Sequence, residues 1–205
     1  MGCGGVAPHK KGALTAGATI VFIDESGFSQ RPSVRRTWAP RGETPVVDDH
    51  VNWDRLSAIS AIAWHPGKPE TRVFLSLWPH SIKQPEVLAF LQSLRRHIRG
   101  QVVVVWDRLP GHRGSLVREH IEANASWLKV EFLPPYAPEL NPVEQVWANL
   151  RAQELANYTP DDLGELAAAI GRGKRRIRRR GHGLGFIKHT DLMSDDEFNL
   201  LGKAH

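Results

Sequence analysis

Two apolar segments of this 205-residue chain each run into an aspartate, ATIVFID at 18–24 and VVVVWD at 102–107, and a third acid, Glu144, stands within PPYAPELNPVEQVW. Three carboxylates make a set of hard oxygen donors suited to Mg²⁺ or Mn²⁺. Two such ions held about 3.5–4 Å apart can activate an attacking oxygen and stabilise a leaving one, which is what phosphodiester cleavage requires. Each acid also has a plainer reading. Asp24 and Asp107 are acceptable as turn acids at strand ends, and Glu144, three residues after Asn141, occupies the capping-box position of a helix.

The elements that must position these groups follow from the same pattern. A short continuous apolar run reads as a strand buried on both faces, and open α/β sheets build their sites at the carboxyl ends of such strands. Asp24 and Asp107 then stand side by side if their strands pair. Asn141 caps a helix whose first position suits Pro142, and Val143, Val146, Trp147 and Leu150 stripe one face of it. Pro134, Pro135 and Pro138 stiffen the loop that leads in. Alternation turns Glu25 to the face opposite Asp24, which favours a supporting role.

Along the chain we expect strand 18–24, a hairpin near 35–48, strands 55–64 and 71–78, and a helix 85–99 opened by Pro85 and closed by Gly100. Strand 102–107, helix 115–124, strand 127–133 and helix 142–156 follow, then a helix at 160–170. All seven tryptophans lie between Trp38 and Trp147, and GRGKRRIRRRG occupies 171–181. The expected division is a flexible leader at 1–17, a compact domain at 18–157, and a helix with a basic tail at 158–205.

YAPELNPVEQVW resembles the signature around the last catalytic acid of DDE transposases related to mariner, including a large bacterial insertion-sequence family. FIDESGF, followed by RRTWAPRGETP, resembles the first-aspartate motif of the bacterial branch, and VVVVWDRLPGHRG matches the second through Asp107 and His112. The likeness runs from about 18 to 155, with a weaker echo at FIKHTDL (186–192). It implies a ribonuclease H-like α/β fold, a mixed sheet flanked by helices, with Asp24, Asp107 and Glu144 as catalytic metal ligands for Mg²⁺ or Mn²⁺, two ions in all. It implies cleavage of transposon ends and joining of the freed 3′ strand to target DNA. A nuclease of the same fold without transposition, and a non-catalytic DNA-binding remnant, are the alternatives. Where relatives often have Asn after the second aspartate, this chain has Arg108, which either contacts a phosphate or weakens a metal site. Relatives carry helix-turn-helix domains ahead of the catalytic domain, whereas a glycine-rich stretch precedes the first strand here, so end recognition is expected from a separate upstream-encoded protein.

The charge balance points to the same partner. Net charge is +5, with pI ≈ 9.7, and arginine outnumbers lysine, which favours planar contacts to phosphate. DNA is the expected partner, and a homodimer a further one. The expected contacts are Arg108, His112, Arg113 and the run Arg172, Lys174, Arg175, Arg176, Arg178, Arg179 and Arg180, although His112 reads equally as a surface-loop residue and the run as nonspecific adhesion. The one cysteine, Cys3, excludes an internal disulfide. No segment reads as a signal peptide or membrane span, so a cytoplasmic, nucleoid-associated bacterial protein is expected.

Overall fold

Isoleucine, valine and phenylalanine at 20–23 and valine at 102–105 form the middle of a five-stranded mixed sheet in the computed structural model, which describes residues 17–36, 38–44, 46, 54–66, 68, 70–135, 137–179 and 181–190. The strands are β1 (Thr19–Ser29), β2 (Arg55–Trp64), β3 (Thr71–Trp78), β4 (Val102–Trp106) and β5 (Leu128–Phe132), in the order β3-β2-β1-β4-β5. β1 pairs antiparallel with β2 and parallel with β4; β2–β3 is antiparallel and β4–β5 parallel. The helices are α1 (Gln84–His97), α2 (Ser115–Ala123), α3 (Val143–Gln153), α4 (Leu163–Arg179) and α5 (His182–Lys188).

Side-chain alternation divides the core into two layers, one on each face of the sheet. Ile20 and Phe22 of β1 join Val143, Val146, Trp147 and Leu150 of α3, Leu166, Ile170 and Ile177 of α4, and Phe186 and Ile187 of α5. Val21 and Ile23 face Phe90, Leu91 and Leu94 of α1, Val117 of α2, and Val104 and Trp106 of β4. Among the described residues no helix is long and apolar enough to cross a membrane.

Three expectations need correction. β1 does not stop at Asp24 but continues to Ser29, because β2 pairs with it all the way, Ser29 lying opposite Arg55. No hairpin forms among the described residues of 35–48, part of which lies outside them. Ser33 instead bridges to Ala156, and the Asn157 side chain takes both backbone groups of Arg35: Arg35 N–H donates to Oδ1 at 2.8 Å, and Nδ2 donates to the Arg35 carbonyl at 3.1 Å. Ser33 and Arg35 are thus tied to the segment that follows α3 rather than to a hairpin partner, with Val34, Trp38 and Val46 exposed.

The third correction concerns the basic run. From Arg172 to Arg179 it is no tail but the second half of α4, and Gly173 and Ile177, the two uncharged positions there, are buried. With Leu166, Ala169 and Ile170 they recur at helical spacing and face the core. The folded unit therefore extends through α5, well past 157. Arg180 and residues 191–205 lie outside the described residues.

Candidate active site

The register between β1 and β4 reaches Phe22 opposite Val105, and carried two residues further it sets Asp24 beside Asp107. Asp24, 9% exposed, projects to the α3 face, where the Trp147 indole Nε1–H donates to its Oδ2 at 2.7 Å. Trp147 stands three residues after Glu144, so one helical turn supplies both an acid and a donor to another acid. The start of α3 is fastened to the strand by Asn141. Its Nδ2 donates to the Ile23 carbonyl at 3.1 Å, and its Oδ1 accepts the Val143 N–H at 3.2 Å. The helix starts one residue later than expected, at Val143 with Pro142 in the cap position, so Asn141 braces the turn just ahead of it and ties the end that carries Glu144 to the strand of Asp24. Among the described residues no hydrogen bond ties the exposed Glu144 carboxylate back to the helix start, so the capping-box alternative is not realised.

Asp107 lies one residue beyond β4 and is governed by His112, in a short 3-10 turn at Pro110–Arg113. His112 Nδ1 donates to Asp107 Oδ1 at 2.9 Å, and Nε2 donates to Glu25 Oε1 at 3.0 Å on the opposite face of β1. The Leu109 N–H also donates to Asp107 Oδ1, at 3.1 Å. With a carboxylate at each ring nitrogen, the partners require both nitrogens to carry hydrogen, which is the imidazolium. The ring is 3% exposed and stacked parallel on Trp106, with centroids 4.2 Å apart. His112 is therefore neither a surface-loop histidine nor one with a free nitrogen for DNA, because both nitrogens are spent on carboxylates.

The electrostatics follow from this arrangement. Burial pushes the Asp24 carboxyl up to about 7; the Trp147 hydrogen bond opposes the rise, while the Glu144 and Asp107 charges add to it. Asp107 moves the other way: burial alone would raise it, but hydrogen bonds from His112 and the Leu109 backbone, with the His112 charge, hold it below the usual carboxylate range. Burial likewise opposes the His112 charge, yet the hydrogen bonds and charges of Asp107 and Glu25 carry its pKa up to about 9. Among the described residues no group of three or more His, Cys, Asp or Glu side chains stands close enough together to hold a metal ion. By type the donor set suits a divalent cation, since all three groups are carboxylates, and a cation would offset both the burial and the lesser repulsion that raise Asp24.

The expected DNA contacts divide by environment. Arg108 and Arg113 are exposed, Arg108 lying over the Phe132 ring at 5.4 Å. On α4, Lys174 Nζ donates to the Leu75 carbonyl at 2.9 Å, and burial lowers its pKa. Arg176 is held by Glu154 Oε1 at 2.9 Å and Asn149 Oδ1 at 2.7 Å. Arg172, Arg175, Arg178 and Arg179 are exposed, and Arg172, Arg175, Arg176 and Arg179 line a shallow hollow of about 370 Å³.

The chain matches a protein family and resembles solved structures. The profile of a family described as DDE superfamily endonuclease matches residues 19–167. No curated protein sequence matches. Among solved structures, the chain is similar to the Mos1 strand transfer complex (TM-score 0.54, 15% identity, 92% of this chain and 59% of that one). It is similar to the Mos1 mariner paired end complex with Mn (0.51, 16%, 82% and 55%) and to the catalytic domain of Mos1 mariner transposase (0.50, 14%, 89% and 86%). The chain thus spans between half and two thirds of the length of the chains in the two complexes. At these identities the likeness establishes the fold, a mixed sheet of the ribonuclease H-like kind.

Proposed function

The chain belongs to the DDE superfamily endonucleases, and from that membership we propose that it is the catalytic domain of a DNA transposase, which cleaves transposon ends and transfers the freed 3′ strand into target DNA. The observation that carries this reading is the placement of the three acids: Asp24 on β1, Asp107 just past the end of the neighbouring β4, and Glu144 in the first turn of a helix whose start is fastened to β1. Mos1 complexes described as a strand transfer complex and as a paired end complex with Mn support DNA as partner and a divalent metal as cofactor.

In this reading Asp24, Asp107 and Glu144 hold Mg²⁺ or Mn²⁺, two ions in all. Such ions, when bound, activate the attacking oxygen and stabilise the leaving one. The chain's own residues do the rest. Trp147 fixes the Asp24 carboxylate, His112 fixes that of Asp107, and Asn141 sets the helix that carries Glu144. The exposed arginines of α4, with Arg108 and Arg113, hold phosphates of the DNA backbone. The chain works as a homodimer on the bacterial nucleoid.

The test is cleavage and strand joining on DNA carrying the element's own ends, with Mg²⁺ or Mn²⁺, in the presence and absence of any protein encoded just upstream. Asp24→Asn, Asp107→Asn and Glu144→Gln should each abolish both steps while leaving the fold intact, since the amide removes ligand charge at nearly constant shape. Near-normal cleavage by any one variant would remove that residue from the site. Cleavage without joining would make the protein a nuclease of this fold.

A further inference from the structure

We propose that Glu25 and His112 form a positioning relay for Asp107, acting from the opposite face of the sheet on the carboxylate that the proposed function assigns to metal binding. The inference rests on that metal reading and assigns Glu25, which faces away from Asp24, a definite task. Asp107 lies just past the last residue of β4, where the ladder no longer fixes it, and its side chain is 41% exposed. The Leu109 N–H reaches its Oδ1 at 3.1 Å from the adjoining loop, and holding one rotamer against the entropy of several needs a firmer partner as well. His112 supplies the tether at 2.9 Å, and the imidazole is itself immobile, 3% exposed and stacked on the fully buried Trp106.

The far end of the ring is held by Glu25, the residue after Asp24 on β1. A chain of contacts therefore runs from the strand of one proposed ligand to the carboxylate of another, bypassing the backbone pairing that ends at Val105. Partners that orient metal-ligating carboxylates commonly contribute about 10–100-fold in affinity. Glu25 here is a positioning residue, acting on any ion only through His112 and Asp107.

The experiment titrates Mn²⁺ into the full chain, following the loss of its free-ion electron paramagnetic resonance signal, for the wild type, Glu25→Ala, Glu25→Gln, His112→Phe and the Glu25→Ala/His112→Phe pair. Phenylalanine keeps the stack on Trp106 and removes both nitrogens. Thermal melts establish that each variant folds. If His112→Phe does not, His112→Asn replaces it, its amide reaching Asp107 but not Glu25. Glu25→Ala and the His112 variant should each weaken Mn²⁺ binding about tenfold. Glu25→Gln should recover most of the loss, since the amide oxygen still accepts the Nε2–H, and the double variant should bind no worse than the His112 variant alone. Unchanged binding in Glu25→Ala would overturn the relay. So would a Glu25→Gln as damaged as Glu25→Ala, or losses that multiply in the double variant, because each would make Glu25 a ligand in its own right. A wild-type chain that binds no Mn²⁺ would instead sink the metal reading itself, and the relay with it.

Discussion

At the scale of the residue, the imidazolium of His112 and the carboxyl of Asp24 both hold protons more tightly in the fold than in the unfolded chain. The histidine is raised to about 9 from 6.5, so between those values the folded state binds more protons than the unfolded one, and stability falls as pH rises through that window. Asp24, raised to about 7 from 3.8, has the same sign in a lower window, about pH 4 to 7. Asp107, lowered, stabilises above its unfolded value and loses that contribution as pH falls through its folded one. Metal-free thermal melts should therefore show the midpoint dropping from about pH 7 to about 9.5, and His112→Phe should flatten that limb. A limb equally steep in the variant would mean that the ring is uncharged in the fold. Asp24 reads as a strand end and proves to lie within β1, whereas the positions of Asp107 and Glu144 were legible in the sequence because a strand end and a helix start are local patterns. His112 was not, because its environment comes from Glu25, 87 residues away in the chain, and from the ring of Trp106. Trp147 was legible as core, but its bond to Asp24 was not, since periodicity shows which face a side chain takes and not which atom it meets.

Among the elements, β2 and β3 follow the expected bounds and α1 lies within a residue or two of them, since an apolar run or stripe bounded by proline and glycine is complete within its own segment. β1 runs long because pairing with β2, a non-local property, extends it past its apolar stretch. Charge density made the segment after 171 look like a solvated tail, while the quieter signal was a small and an apolar residue four apart. Gly173 is required there for proximity: a Cβ would collide with the Leu150 side chain and press on Glu154, which follows α3. Leu150 is fully buried and has little room to yield. Gly173→Ala should therefore destabilise the protein by about 1–3 kcal/mol, the usual cost of overpacking, despite the better helix propensity of alanine. A chemical-denaturation midpoint at or above the wild-type value would show that the α3–α4 packing can loosen without cost.

For the molecule as a whole, the extent of α4 and α5 changes how DNA affinity can be probed. Ending the chain near 170 would strip Ile177, Phe186 and Ile187 from the core. At about 1.5–3 kcal/mol for each buried side chain, that approaches the entire stability of an ordinary domain. Point substitution is the cleaner probe. Arg172, Arg175 and Arg179 are exposed, and replacing all three with alanine should weaken DNA binding uniformly across sequences. The slope of log affinity against log salt should fall by about 0.9 for each phosphate that is no longer neutralised, and an unchanged slope would take this face off the DNA. Another property of the whole sheet lies in the unequal seams of its central strand. β2 follows β1 to Ser29, while β4 leaves it after Phe22. The odd residues of β1 turn their backbone toward β4, as Thr19 does in donating to the Gln101 carbonyl at 2.9 Å. Beyond Phe22 those groups have no β4 partner among the described residues, and α3 with the residues just ahead of it meets two of them, Asn141 taking the Ile23 carbonyl and Arg151 the Gly27 carbonyl at 3.5 Å. Open strand edges invite other chains to pair with them. The helix that delivers Glu144 thus also guards against self-association, so Asn141→Ala should bring lost activity and concentration-dependent light scattering together.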